Sequence, residues 1–188
     1  LEEQRAWVDE VRTVLRAAPL VRPSTPNGMP MRVRVSAAGM LGWVGDGEYR
    51  YDPKQRDGRA WPSIPRRWIK HANKVAGARS WDSAIVNWYE PGASLGWHVD
   101  QSEFDTRLPI VTVSLGDACS WAVRRDRSSP SSRVRLDSGE TTVLEGESRN
   151  YAHTVERLIP YELLSPLKAR GRISVTLRVA GAAPHERR

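Results

Sequence analysis

The feature that most constrains the fold is the segment Asn87–Asp100, which reads NWYEPGASLGWHVD. Pro91 and Gly92 predict a tight turn between two extended stretches. In the second stretch, apolar side chains alternate with His98 and Asp100. The period of two in a β-strand places these two residues on one face, whereas a helix would separate them by about 200°. The segment therefore predicts a strand that presents an imidazole and a carboxylate to the same point.

A third candidate ligand, His153, follows later in the chain, and Arg172 and Arg178 come after it. Two neutral imidazoles and a carboxylate can bind one face of Fe(II), leaving positions open for a cosubstrate and O2. A guanidinium group can hold an anionic cosubstrate beside the iron through paired hydrogen bonds to a carboxylate. The order His-x-Asp, distant His, then Arg predicts a non-haem Fe(II) oxygenase.

Other residues with ligand or nucleophile chemistry are predicted to be structural. His71 lies in a polar helical stretch and His185 in a charged tail, and both are predicted to be solvated. The chain has one cysteine, Cys119, which excludes an internal disulfide and fits a reducing compartment. Because Cys119 lies between two strand-like runs, we expect a buried structural thiol.

Two helices are predicted in the first half of the chain. Residues 1–17 carry apolar side chains at helical spacing, and Pro65 opens a second helix. The predicted apolar positions are Trp7, Val8, Val11, Val14 and Leu15 in the first helix and Trp68, Ile69, Ala72 and Val75 in the second.

Strands dominate the rest of the sequence. After the proline-rich loop Pro19–Pro30, Met31 begins an alternating stretch that predicts a half-exposed strand. Beyond Trp81, short apolar runs alternate with Gly, Pro and Asp, ending at Ile173–Val179. Helices followed by about eight short strands predict an α+β domain with a jelly-roll core.

Length and charge limit the class of protein. The 188 residues suit a single domain, 1–188. A net charge of +7 favours nucleic acid as a partner. The basic residues also cluster around a Ser-Ser-Pro-Ser-Ser loop, where they are predicted to clamp a phosphate backbone. These residues are Arg124, Arg125, Arg127, Arg133 and Arg135.

Location and assembly are predicted from what the sequence does not contain. No apolar run approaches the roughly 20 residues that cross a bilayer, so no membrane partner is predicted. The acidic amphipathic start is unlike a signal peptide, and the absence of an initiator Met leads us to expect a longer natural chain. We expect a cytoplasmic monomer.

Five strings between Pro26 and Gly181 resemble, in the same order, the AlkB family of Fe(II)- and 2-oxoglutarate-dependent dioxygenases. This family oxidatively dealkylates nucleic-acid bases. The strings are LGW (41–43), NWYEPGASLGWHVDQSE (87–103), LPIVTVSLG (108–116), GESRNYAH (146–153) and RISVTLR (172–178). The resemblance implies a double-stranded β-helix with iron between two sheets. It also implies a nucleotide-recognition lid with a supporting helix over about 26–86, and a catalytic core over 87–181.

The resemblance implies the site residues as well. It places the iron ligands at His98, Asp100 and His153. It places the 2-oxoglutarate contacts at Asn87, Tyr89, Arg172, Ser174 and Arg178. The family usually has Asn where this chain has Ser174, whose hydroxyl offers fewer hydrogen bonds than an amide. The implied reaction uses Fe(II), 2-oxoglutarate and O2 and releases succinate, CO2 and formaldehyde, restoring the base.

Substrate contacts follow from the same resemblance. Trp43 and Tyr49 match the base-stacking and lid aromatics, in a glycine-rich segment that is predicted to be a mobile loop. Arg127 matches a basic residue of the substrate loop. Ser102 stands where bacterial relatives that repair DNA place an acidic residue, and strand alternation predicts that Glu103 turns away from the site. Among the other tryptophans, packing is predicted for Trp7, Trp68 and Trp121 and a loop contact for Trp61.

Two further functions stay open at this point. An Fe(II)/2-oxoglutarate hydroxylase or demethylase acting on tRNA, protein or a small metabolite would share the iron and cosubstrate residues. It would not need Trp43, Tyr49 and the basic loop for binding oligonucleotides. A nucleic-acid-binding module with an inactive site would bind without 2-oxoglutarate turnover, although the intact ligand set argues against it. The sequence does not distinguish DNA from RNA as the substrate.

Overall fold

A computed structural model of the protein describes residues 1–160 and 165–181. The helices are α1 (Glu2–Ala17) and α2 (Arg66–Ala76). The strands are β1 (Val33–Gly39), β2 (Gly42–Gly45), β3 (Tyr49–Asp52), β4 (Ser83–Tyr89), β5 (Leu95–His98), β6 (Ile110–Gly116), β7 (Ala118–Arg124), β8 (Ser132–Leu136), β9 (Thr141–Leu144), β10 (Ala152–Ile159) and β11 (Arg172–Arg178). A short 3-10 helix, Gly146–Asn150, precedes β10.

The strands form two antiparallel sheets and a separate hairpin. The five-stranded sheet has the order β1-β4-β11-β6-β9, and the four-stranded sheet has the order β5-β10-β7-β8. Strands β2 and β3 pair only with each other among the described residues. Two antiparallel sheets with helices before and among them confirm the predicted α+β jelly roll.

Both helices cover the outer face of the five-stranded sheet. The indole rings of Trp7 in α1 and Trp68 in α2 stack with centroids 5.6 Å apart, and both side chains are buried. Two predictions for α2 are wrong. Val75 is exposed. His71 is not simply solvated, because its Nε2 lies 2.9 Å from Thr141 Oγ1 and its ring meets Trp7 edge-on.

The central strand β11 is buried on both faces. Its alternate apolar residues, Ile173, Val175 and Leu177, belong to the core beneath the helices. Its other residues are polar and, by the alternation of a strand, face the space between the two sheets; they are Arg172, Ser174, Thr176 and Arg178. One strand therefore completes the main core and places polar side chains in the interior.

Several predictions concern single residues. Cys119 is buried, as predicted. Trp61 donates its indole N–H to the carbonyl of Asp52, which fits the predicted loop contact. Trp121 is half-buried and packs against buried apolar residues, as predicted, and its ring also faces His153, with ring centroids 6.0 Å apart. His185 lies outside the described residues.

The hairpin β2–β3 contains the two aromatic residues predicted for the lid. Trp43 lies in β2 and Tyr49 begins β3, so the prediction that both lie in a loop is wrong. Strand β1 comes from the predicted lid segment 26–86 yet is hydrogen-bonded to β4 in the five-stranded sheet. Residue 87, where the catalytic core was predicted to begin, lies inside β4. The five-stranded sheet therefore includes strands from both sides of this boundary. Neither helix described here combines the length and apolar character needed to cross a membrane.

Candidate metal and cosubstrate site

The structure brings the three predicted metal ligands together. His98 at the end of β5 is the register partner of His153 in β10. Strand β5 ends at His98, and Asp100 lies just beyond it, with its carboxylate close to both imidazoles. Its carboxylate oxygens lie 3.9 Å from His98 Nε2 and 3.6 Å from His153 Nε2. One ligand atom from each residue lies within 4.8 Å of the others.

Backbone carbonyls orient both imidazoles. Nδ1 of His98 lies 2.8 Å from the carbonyl oxygen of Gly96, and Nδ1 of His153 lies 3.2 Å from that of Tyr151. Since a carbonyl only accepts hydrogen bonds, this geometry favours the tautomer with the proton on Nδ1. Nε2 of each ring then offers its lone pair to a metal ion.

The electrostatic environment keeps two of the ligands, His153 and Asp100, in the protonation states that bind a cation. Burial and the neighbouring His98 lower the pKa of His153 to about 4. Burial acts to raise the pKa of Asp100, but the charges of Arg178 and the two histidines outweigh it and lower this pKa to about 2. Near neutral pH the site therefore offers a neutral His153 and an ionised Asp100, as a divalent cation requires.

The predicted cosubstrate residues lie on two adjacent strands, β4 and β11. Their register pairs Tyr89 with Arg172 and Asn87 with Ser174. Asn87 Nδ2 donates to Ser174 Oγ over 3.4 Å, and the guanidinium of Arg172 lies 5.1 Å from the ring centroid of Tyr89. Arg178, at the far end of β11, lies beside the metal ligands, with Nη2 3.0 Å from Asp100 Oδ1.

Arg172 has the features of a buried anion-binding group. The residue is 2% exposed, and Nη2 donates to Ser114 Oγ over 2.9 Å. Its Nε and Nη1 are buried without a hydrogen-bond partner among the described residues. Because buried donors without acceptors are costly, a bound anion that accepts hydrogen bonds from these two nitrogens would stabilise the guanidinium. The ligand set and Arg172 together fit Fe(II) and the carboxylates of 2-oxoglutarate.

Two cavities meet at the metal ligands. A narrow cavity of about 60 Å³ is lined by all five predicted cosubstrate residues and all three ligands. A wider cavity of about 310 Å³ shares His98 and Asp100 with it, and its lining includes Trp43, Tyr49 and Ser102. The wider volume is near the lower end of the range typical of ligand pockets. The metal ligands thus lie between a small space lined by the predicted cosubstrate residues and a larger one with aromatic walls.

Three of the four predicted substrate contacts reach the wider cavity. The rings of Trp43 and Tyr49 contact each other at 5.1 Å between centroids, and Tyr49 is 40% exposed. Ser102 is exposed at the cavity wall. The structure does not bring Arg127 to this cavity, because it lies in the exposed connection between β7 and β8.

The basic segment around Arg127 is partly neutralised by acidic neighbours. Arg125, Arg133 and Arg135 form surface ion pairs with Glu147, Glu156 and Asp137, respectively. Arg124 instead lies over the ring of Trp97, 4.1 Å from its centroid. No ion pair of Arg127 is found among the described residues, and its side chain is exposed, so its charge is available to an anion.

The sequence analysis missed a buried polar network beside the metal ligands. Glu103 lines neither cavity, in agreement with the prediction that it turns away from the base. The reason is not strand alternation, because β5 ends at His98; the side chain is buried among polar partners instead. Both oxygens of Glu103 accept hydrogen bonds, from Tyr51, Arg149 and Arg178. Arg149 lies within the string GESRNYAH, but nothing in the string indicates that its side chain is 1% exposed.

Comparison with known proteins adds independent information. The sequence profile of the 2OG-Fe(II) oxygenase superfamily matches residues 1–178. The chain is 36% identical over 187 residues to an alpha-ketoglutarate-dependent dioxygenase AlkB homolog from Caulobacter vibrioides, covering 97% of this chain and 84% of that protein. It is 32% identical over 182 residues to alpha-ketoglutarate-dependent dioxygenase AlkB from Escherichia coli, covering 93% and 83%.

The fold also resembles a solved structure. The structure of OsALKBH1 superposes with a TM-score of 0.76 at 23% identity, covering 94% of this chain and 92% of that chain. At this identity the likeness concerns the fold alone. It agrees with the two-sheet core.

Proposed function

Because the chain belongs to the AlkB family of 2-oxoglutarate- and Fe(II)-dependent dioxygenases, we propose that it removes N-alkyl groups from bases of DNA, RNA or both. The supporting observation is the arrangement of two cavities around His98 and Asp100. Cosubstrate residues line the narrow cavity, whereas Trp43 and Tyr49 stand at the wider one. His98, Asp100 and His153 would hold Fe(II) at one end of the wider cavity, whose aromatic lining is of the kind that holds a base lifted out of its strand.

Each group of side chains has a separate task in this reaction. Arg172 pairs with a cosubstrate carboxylate, while Asn87, Tyr89 and Ser174 complete the polar wall of the narrow cavity. Trp43 and Tyr49 hold the base by stacking, so that its alkyl group points toward the ligands. Fe(II), 2-oxoglutarate and O2 supply the oxidising power that hydroxylates the alkyl carbon. From an N-methyl group, the hydroxymethyl product releases formaldehyde and restores the base.

The direct experiment is formaldehyde release from a panel of methylated DNA and RNA oligonucleotides. Production of formaldehyde and succinate in equal amounts, dependent on Fe(II) and O2, is the expected result. Succinate formation accelerated by a methylated peptide or metabolite, but by none of the oligonucleotides, would favour a hydroxylase of another substrate. Oligonucleotide binding without any 2-oxoglutarate turnover would indicate an inactive binding module.

Our proposal includes the setting in which the enzyme acts. A single buried cysteine fits a reducing compartment, and we place the protein in the cytoplasm as a monomer. Residues of one chain line both cavities, which supports a reaction carried out by a single subunit. Sedimentation at several protein concentrations tests the monomeric state.

The exposed arginine of the β7–β8 connection is predicted to contact phosphate. Arg127→Ala should weaken the binding of several oligonucleotides about equally. It should also reduce the slope of log affinity against log salt concentration by about one unit, the effect of losing one phosphate contact. Fluorescence anisotropy across a salt series measures both quantities. Arg67→Ala is the matched control, since Arg67 is a surface arginine of α2 paired with Glu10. A changed base preference with an unchanged salt slope would instead indicate a base contact.

Ser102 is predicted to influence which base is accepted. Its hydroxyl can donate or accept a hydrogen bond, so it suits base edges that bear a carbonyl or an amine. Ser102→Asp introduces a charged acceptor and should shift preference toward 1-methyladenine and 3-methylcytosine by about tenfold. Competition assays with paired oligonucleotides measure the shift, with the exposed Ser63→Asp as the control. An unchanged ratio in Ser102→Asp would show that this side chain does not face the base.

A further inference from the structure

Glu103 is a buried carboxylate with three side-chain donors. Its side chain is 1% exposed. Oε1 accepts hydrogen bonds from Arg178 and, over 2.8 Å, from the hydroxyl of Tyr51, whereas Oε2 accepts one from Arg149 Nη2 over 2.9 Å. Burial acts to raise the pKa of Glu103, but the charge and hydrogen bond of Arg178 outweigh it, so this pKa lies below its usual value.

The network fixes the segment that leads away from the metal ligands. Arg149 donates to the backbone carbonyls of Asp100 and Leu108, each over 2.8 Å, while it holds Glu103. The chain between Asp100 and Leu108 has no strand or helix of its own. A buried guanidinium that binds both ends of this segment therefore replaces the constraint that a sheet would supply.

The same network determines how Arg178 is presented to the site. Its Nη1 is held by Glu103 and its Nη2 by Asp100, while its Nε has no hydrogen-bond partner among the described residues. Without Glu103, the Arg178 guanidinium would have one carboxylate partner, that of Asp100. It could then rotate while keeping this single contact. An arginine held on two sides is preorganised, which lowers the cost of binding an anion.

Tyr51 connects this network to the hairpin β2–β3. It lies in β3 directly opposite Trp43 and two residues after Tyr49. Its hydroxyl bond to Glu103 joins the hairpin with the aromatic pair to the residues that hold Asp100. In order, Tyr51, Glu103, Arg178 and Asp100 form a continuous chain of polar contacts from the hairpin to the metal ligands.

We infer that Glu103 is a positioning residue for both cavities: it orients Arg178 toward the cosubstrate and anchors the aromatic hairpin through Tyr51. This inference rests on the proposed demethylation, since it assigns the hairpin to the substrate. Glu103→Gln should lower 2-oxoglutarate affinity, because the amide N–H group that replaces one oxygen faces positively charged donors. Tyr51→Phe should lower mainly the affinity for the oligonucleotide. The affinity for 2-oxoglutarate should change little, because Arg178 keeps its carboxylate partners.

The experiment uses the full chain loaded with Mn(II), which permits binding without turnover, and then with Fe(II) for turnover. Calorimetric titration with 2-oxoglutarate should show about tenfold weaker binding for Glu103→Gln and partial recovery for Glu103→Asp. Tyr51→Phe should weaken binding of a methylated oligonucleotide about threefold and leave the 2-oxoglutarate titration near that of the wild type. In the Glu103→Gln background, Tyr51→Phe should have a smaller effect, because the two groups share one hydrogen bond.

Glu10→Gln is the matched control, since Glu10 is a carboxylate that pairs with an arginine away from the site. Lower unfolding temperatures in Glu103→Gln and Tyr51→Phe with unchanged titrations would overturn the inference and leave Glu103 a merely structural residue. A wild-type protein that turns over no oligonucleotide would instead contradict the proposed demethylation. The 2-oxoglutarate titrations would still test how Glu103 acts on Arg178.

Discussion

His98→Ala, Asp100→Ala and His153→Ala are each expected to reduce Fe(II)-dependent formaldehyde release by more than about a thousandfold, because ligands of one metal act as a unit. The three side chains come from β5, the segment after it and β10, and they meet within 4.8 Å. Removing any one leaves two ligands, too few to fix the metal beside both cavities. Formaldehyde and succinate assays at matched iron concentrations measure this loss.

The ligand variants need a test that separates metal binding from folding. Circular dichroism should show an unchanged fold, while Mn(II) titration should show weakened binding. Asp100→Asn is the informative partner of Asp100→Ala, because it keeps an oxygen acceptor for Arg178 Nη2 but loses the charge. His71→Gln is the control outside the site and should remain active. Activity close to wild type in any ligand variant would remove that residue from the ligand set.

The second large effect is expected at Arg172, through the cosubstrate. Its Nε and Nη1 are buried without partners, next to Tyr89 and the narrow cavity. A hydrogen bond to a charged group contributes about 1.5–3 kcal/mol. Arg172→Lys keeps the charge but loses the paired donors of the guanidinium. We therefore expect 2-oxoglutarate affinity to fall by about tenfold to a hundredfold, and by more in Arg172→Ala.

Titration with 2-oxoglutarate in the presence of Mn(II) measures this change directly. Arg170→Lys is the matched control, because Arg170 lies two residues away and is half exposed beside Asp117. Oligonucleotide affinity measured without cosubstrate should be unchanged in Arg172→Lys, since this residue does not line the wider cavity. An unaltered 2-oxoglutarate titration would show that the cosubstrate carboxylate binds elsewhere.

The sequence alone determined the local geometry of the elements. Helix α1 and the buried face of α2 follow from apolar spacing, and the Trp7 and Trp68 positions are confirmed. The motif around His98 and Asp100 indicated that these two side chains point the same way. In an extended chain, side chains two residues apart lie on one face, and this depends only on the local backbone. Membership of the family and its cofactors could also be predicted, since they depend on ordered motifs that require no knowledge of packing.

Tertiary structure decided which distant residues meet. The pairing of His98 with His153 depends on the register between β5 and β10, and four strands separate these two in the sequence. The burial of Glu103 depends on donors from three remote segments, which strand alternation could not reveal. A charged side chain can be buried only where distant partners compensate for its lost hydration. Packing supplies those partners, and the local sequence does not reveal them.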